Sequence, residues 1–153
     1  MGRTNKTGRN IRGRFTALPH HLITSPAFRS LSGGTLKVYI ELHGRYIGSN
    51  NGSLHLSCGE AARLLHMSKS TVSRAFCELT EKGFIRCTMR GNWYEKRAST
   101  WALTHHGDNR MNGPLIATNE WRNWNNNQTN GKAIYGTEVR PDRYSHETNR
   151  VPK

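Results

Sequence analysis

The chain has 153 residues, enough for one small core. Lysine plus arginine number 23 against 10 aspartate plus glutamate, a formal net charge of +13 that predicts attraction to a polyanion. No stretch is long and apolar enough to span a bilayer and the N-terminus lacks the apolar core of a signal peptide, so the expectation is a cytoplasmic protein with no membrane partner.

Residues 1–24 read as a flexible basic arm. Arg3, Lys6, Arg9, Arg12 and Arg14 are spaced by glycines and polar residues with no acid among them, and too little apolar surface is present to offset the entropy of ordering. Such an arm suits DNA contact, along phosphates or with an arginine in the minor groove. A solvated tail that adds only nonspecific attraction fits the same composition.

Residues 25–104 carry the pattern of a folded domain. Ser25-Pro26 is a helix start, because serine caps and proline suits the first helical position, and a short helix through Leu31 follows. Ser32-Gly33-Gly34 is expected to interrupt it. Leu36, Val38, Tyr39, Ile40, Leu42 and Ile47 then predict an amphipathic scaffold helix over roughly Thr35 to Tyr46. GSNNGS at 48–53 is a loop, and Leu54-His55-Leu56 alternates as a short strand.

The most informative stretch is Ser57 to Ile85, two short helices around a tight turn. Ser57-Cys58-Gly59-Glu60 has the S-x-x-E spacing of a capping box, and Ala61, Ala62, Leu64 and Leu65 give the first helix an apolar stripe ending near His66. Met67 is a core-facing turn residue. Ser68 caps the second helix, whose stripe is Val72, Ala75, Phe76 and Leu79, leaving Lys69, Ser70, Ser73, Arg74 and Cys77 on other faces. Gly83 is a C-terminal stop with Phe84 folding back. Phe84–Met89 and Ser99–Thr104 then predict a hairpin around a loop bearing Arg90, Asn92, Lys96 and Arg97.

Helix, strand, helix, helix, hairpin, with the Leu79-x-x-Lys82-Gly83-Phe84-Ile85 junction, resembles the winged helix-turn-helix superfamily over roughly residues 25–104. Leu18-Pro19, Ser25-Pro26-Ala27-Phe28 and Leu36–Leu42 are similar to the opening of small helix-turn-helix proteins of bacterial mobile elements, including the DNA-binding domains of phage and plasmid replication proteins. The resemblance implies a mainly α fold with a small β-hairpin wing and a double-stranded DNA partner, at the nucleoid when bound. Docked in the major groove, the second helix would read bases with Arg74 and Ser73 and position itself with Lys69, while Ser70 and Thr71 donate to phosphates or bases. Arg90, Lys96 and Arg97 would track the backbone or the adjacent minor groove, Asn92 reach a base edge, and Trp93 and Tyr94 stack or wedge or, as is commoner for hairpin aromatics, pack.

Residues 105–153 read as a mostly irregular tail rich in asparagine and glycine. Trp121 and Trp124, one helical turn apart beside Arg122, serve either to anchor the tail on its own domain or to recruit a partner protein. An enzyme is not expected. The eight histidines show no H-E-x-x-H or zinc-finger spacing and no His-x-His nuclease pair, and Ser32-Gly33-Gly34-Thr35 is no phosphate loop. His20-His21 and His105-His106 would diverge on a strand, so neither a metal nor any other cofactor is expected. Cys58, Cys77 and Cys87, an odd number within regular elements, read as reduced packing residues. The expected function is a sequence-specific transcriptional regulator, a homodimer because one small module gains specificity from a second half-site. The alternatives are a mobile-element adaptor or replication-initiation protein that recruits its partner through the tail, and an architectural binder driven by charge.

Overall fold

Four serines start four helices in the same way. Each of Ser25, Ser32, Ser57 and Ser68 sits in extended backbone and accepts a hydrogen bond through Oγ from the backbone N–H three residues on, at 3.1–3.2 Å from Phe28, Thr35, Glu60 and Thr71. The hydroxyl satisfies one of the amides that a helix start leaves without a partner. The computed structural model describes residues 15–92, 94, 97–110 and 116–125. Arg3, Lys6, Arg9, Arg12, Arg14, Trp93 and Lys96 lie outside the described residues.

Among the described residues the fold is α+β. Its helices are α1 (His20–Ile23), α2 (Pro26–Arg29), α3 (Gly33–Gly44), α4 (Cys58–Leu65) and α5 (Lys69–Glu81). The strands are β1 (Leu54–His55), β2 (Ile85–Met89) and β3 (Thr100–Leu103), and a 3-10 turn spans Glu120–Asn123. The sheet is antiparallel in the order β1-β3-β2, with Leu54 opposite Trp101 and Ile85 opposite Leu103. None of the described helices is long and apolar enough to cross a membrane.

Three local expectations change. Gly33 and Gly34 do not interrupt the chain but form the first turn of α3, because Ser32 caps directly ahead of them. At Gly34 the Met67 methyl would stand only 3.0 Å from an added Cβ, so this glycine lets the turn after α4 approach α3. Ile40, Ile47 and Leu64, expected on buried stripes, are 39%, 66% and 41% exposed. The narrower stripe of α3 that reaches the core is Val38, Tyr39 and Leu42.

The core lies between the helices and one face of the sheet. Val72, Phe76 and Leu79 of α5 meet Val38, Tyr39 and Leu42 of α3, and the Phe76 ring stacks on Trp101 of β3 at 4.6 Å and 4°. Tyr39, Phe28 and Phe84 form an edge-to-face cluster with centroids 5.5–6.3 Å apart.

This core draws in segments expected to lie outside the domain. Leu22, placed in the arm by its sequence, is fully buried, so the packed region begins before residue 25. Beyond β3, Trp121 is only 4% exposed, with its ring parallel to Phe84 and against His21. The crossing requires Gly83, whose φ is +73° and whose added Cβ would stand 2.7 Å from the Glu120 and Trp121 backbone. Of the two roles weighed for Trp121, the own-domain anchor is therefore the one found, and a partner-binding role is withdrawn for this ring because it is already covered. Arg122 is exposed and lies 5.3 Å from the Trp121 ring, and Trp124 is half-buried under Lys82.

One polar side chain joins the two halves of the chain. Asn51 is wholly buried; its amide donates to the carbonyls of Leu103, His106 and Gly107 at 2.9–3.0 Å, and its Oδ1 accepts from the Leu103 N–H at 2.7 Å. Asn51→Ala leaves these groups unpaired and is expected to cost at least about 2 kcal/mol in urea unfolding. Trp121→Ala is expected to cost about 3–5 kcal/mol, as for a core aromatic, in the same measurement. A change within about 0.5 kcal/mol, typical of surface sites, would place that ring outside the core.

Candidate nucleic-acid interface

The start of α5 is shaped by the short turn ahead of it. α4 ends at His66, which takes the left-handed conformation with φ 52°, and the Met67 N–H returns to the Ala62 carbonyl at 3.0 Å. Half-buried Met67 anchors the turn on the core, as expected, and Ser68 opens the next helix. α4 and α5 are thus joined by residues 66–68 and packed on one another through the core.

Burial of Val72, Ala75, Phe76 and Leu79 sets the rotation of α5 about its axis. Lys69, Ser70, Ser73 and Arg74 consequently face solvent, and Thr71 is half-buried. The first turn contains no acid, so nothing opposes the positive end of the helix dipole there. Ser68 Oγ lies 2.9 Å from Ser70 Oγ and 2.7 Å from Thr71 Oγ1, which engages both hydroxyls with the cap. The Lys69 stem passes beside Gly59 at the start of α4.

The cations of the described residues fall into two groups. Arg45 is held by Glu41 at 3.0 Å and Glu60 at 2.9 Å, Lys82 by Glu78 at 2.7 Å, and Arg86 and Arg110 by Asp108 at 3.2 and 2.9 Å. Asp108 is held below the usual carboxylate range, chiefly by its hydrogen bond from Arg110, so this ion-paired unit stays charged. Lys69 and Arg74, like Arg29 and Lys37 elsewhere on the surface, make no ion pair among the described residues and are exposed. A cation without an internal carboxylate is available to an external anion.

The hairpin supplies a second exposed group. A break in register between Cys87 and Met89 lets Thr88 donate to the Gly52 carbonyl or pair with Thr100 Oγ1, each at 2.7 Å, tying the 48–53 loop to the sheet. Beyond it Asn92 and Arg97 pair through both backbone bonds, at 2.9 and 3.0 Å, and narrow the hairpin toward its tip. Arg90 and Arg97 are exposed. The Asn92 Oδ1 accepts from the Tyr94 N–H at 3.0 Å, so this side chain, expected to reach a base edge, spends its acceptor on shaping the turn. Tyr94 is 94% exposed, and packing, the commoner fate of a hairpin aromatic, does not apply to it.

The histidines also depart from expectation. His105 and His106 do not diverge on a strand; they sit in the turn after β3, where side-chain alternation does not hold, and their rings lie 4.1 Å apart. His43, at the end of α3, joins them. His43 Nε2 and His105 Nε2 are 2.8 Å apart, too close for face-to-face stacking, so the nearly parallel rings meet edge to edge through a hydrogen bond. Tyr39 Oη lies 3.1 Å from His105 Nδ1. Burial, with neighbouring His106 adding to it, pushes His43 down to about 4. Burial, then the charges of His106, His43 and His21, pushes His105 down to about 3. Sequence spacing hid this group, because His43 lies 62 residues before His105 in the chain.

Cys58, Cys77 and Cys87 are free and half-buried, and burial raises the Cys58 and Cys77 thiols. Comparison with protein-family models, curated proteins and solved structures finds no match to this chain. Ser68→Ala removes the cap that orders the first turn of α5 and is expected to lower stability by about 1 kcal/mol in thermal or urea unfolding.

Proposed function

We infer that this chain is a winged helix-turn-helix protein that binds double-stranded DNA in a sequence-specific manner, in a binding rather than a catalytic role. The observation that carries the reading is the start of α5: Lys69, Ser70, Ser73 and Arg74 exposed on a helix whose opposite face is buried, with no acid in the first turn and, among the described residues, no carboxylate holding either cation. A major groove about 12 Å wide admits such a helix. There Arg74 pairs with guanine O6 and N7, Ser73 meets a base edge, Lys69 meets a phosphate, and Ser70 and Thr71 help orient the helix start.

The hairpin β2–β3 acts as the wing. Arg90 and Arg97, with Lys96 by sequence, follow the adjacent backbone, and exposed Tyr94 lies against sugar or base. The basic arm adds long-range attraction to phosphate, consistent with the +13 charge. The biological role that fits is a transcriptional regulator, acting as a dimer on a two-fold site. An adaptor or initiator reading would keep the same DNA face and recruit its partner through Arg122, Trp124 and the residues that follow, not through Trp121.

Sequence selection from a random duplex library at physiological salt tests the reading. The wild-type chain is expected to enrich a short motif, and Arg74→Ala to lose about 1–3 kcal/mol of discrimination at one position. Arg97→Ala is expected to weaken binding to all sequences about equally and to lower the salt slope by about one. Absence of any enriched motif would leave charge-driven binding alone; equal loss on specific and random DNA would remove Arg74 from base reading.

A further inference from the structure

We propose that His43, His105 and His106 bind one divalent transition-metal ion of the zinc type, cross-linking the end of α3 to the turn that leaves β3. One nitrogen from each ring lies within 4.8 Å of the other two, a convergence of side chains that the sequence separates widely. Zinc–nitrogen bonds of about 2.0–2.1 Å at tetrahedral angles space ligand nitrogens about 3.3 Å apart. Small rotations about χ1 and χ2 therefore open the 2.8 Å His43–His105 contact and bring the third nitrogen in.

Two features of the surroundings favour an ion over a merely packed cluster. First, one nitrogen of the group is buried without a partner: His106 Nε2 makes no hydrogen bond among the described residues. A buried lone pair without a donor is unfavourable, and a metal ion supplies an acceptor for it.

Second, Tyr39 is placed to hold His105 in the tautomer that a metal requires. Its hydroxyl lies 3.1 Å from His105 Nδ1 and accepts when that nitrogen carries the proton, which leaves the Nε2 lone pair facing His43. When His43 likewise carries its proton on Nδ1, both Nε2 atoms are ligands, and no net proton is lost. A hydrogen bond at the far nitrogen of a ligating histidine is the usual way its orientation is fixed. Tyr39 is thus a positioning residue for the site.

The donor set defines the ion. Three neutral imidazoles with no carboxylate suit zinc, cobalt, nickel or copper and not magnesium or calcium, which require oxygen. The fourth position falls to water. His106 also lines a cavity of about 110 Å³. The bound ion would tie together α3, which packs against α5, and the turn held by Asn51, and so stiffen the scaffold behind the proposed DNA face.

The full chain, stripped with a chelator, is titrated with zinc chloride and separately with magnesium chloride, and then with cobalt(II) for its visible d–d bands. Expected are one equivalent of zinc, a raised Tm, no response to magnesium, and a tetrahedral cobalt spectrum. His105→Gln and His106→Gln, both at half-buried positions, are expected to abolish the spectrum and the Tm rise while remaining folded by circular dichroism. Tyr39→Phe is expected to weaken zinc by about tenfold. His20→Gln, at an exposed histidine outside the group, is expected to bind as wild type. Absence of saturable zinc binding in the wild-type chain, or wild-type binding in folded His105→Gln or His106→Gln, would overturn the site.

Discussion

The structure turns on the contact between α5 and the sheet. Phe76 lies flat on Trp101, and Val72, Ala75 and Leu79 complete the same stripe, so α5 has one rotational setting in which its apolar surface is covered. A turn of the helix by one residue, about 100°, would expose Phe76 and bury Arg74. The outward direction of Lys69, Ser73 and Arg74 is therefore a by-product of core packing. Trp101 is held in turn by its place on the central strand, between β1 and β2, and by its indole N–H directed at the Leu56 carbonyl.

Around that contact the chain closes itself with backbone-level locks. Asn51 substitutes for a missing strand, bonding to β3 and to the turn beyond it with one side chain. Thr104 donates to the carbonyls of Gly83 and Phe84, and the Asn119 N–H returns to the Thr104 carbonyl, which lays the 116–124 segment across the end of α5. Gly83 serves twice there, as the left-handed stop of α5 and as the gap over which Glu120 and Trp121 pass. A small domain gains buried area this way: Trp121 packs on Phe84, and both rings are buried.

The charges follow the same division between inside and outside. Carboxylates are spent where they fasten elements together: Glu60 joins α4 to Arg45, Glu78 joins α5 to the start of α3 through Thr35 and the Ser32 N–H, and Asp108 gathers two arginines. With so few acids available and several committed to these joints, the first turn of α5 is left positive. The proposed DNA face and the stability of the fold thus draw on one limited set of acidic residues.

The helical skeleton was legible in the sequence because its signals are local. Ser57, Ser68 and Gly83 act within a turn of themselves, the Val72-Ala75-Phe76-Leu79 spacing is a property of one helix, and the exposed set on α5 is its complement. The hairpin was legible for the same reason. Not legible were the features made by residues distant in the chain. The crossing of Trp121 over Gly83 needs a backbone gap that no periodicity announces, and the turn at residue 105 brings His105 and His106 to His43 only once α3 and β3 have packed. Ile40 and Leu64 mark the same limit from the other side: their spacing made them eligible for burial, but a helix in a domain this small meets neighbours along a narrow stripe, and only the assembled core decided which apolar residues it had room to cover.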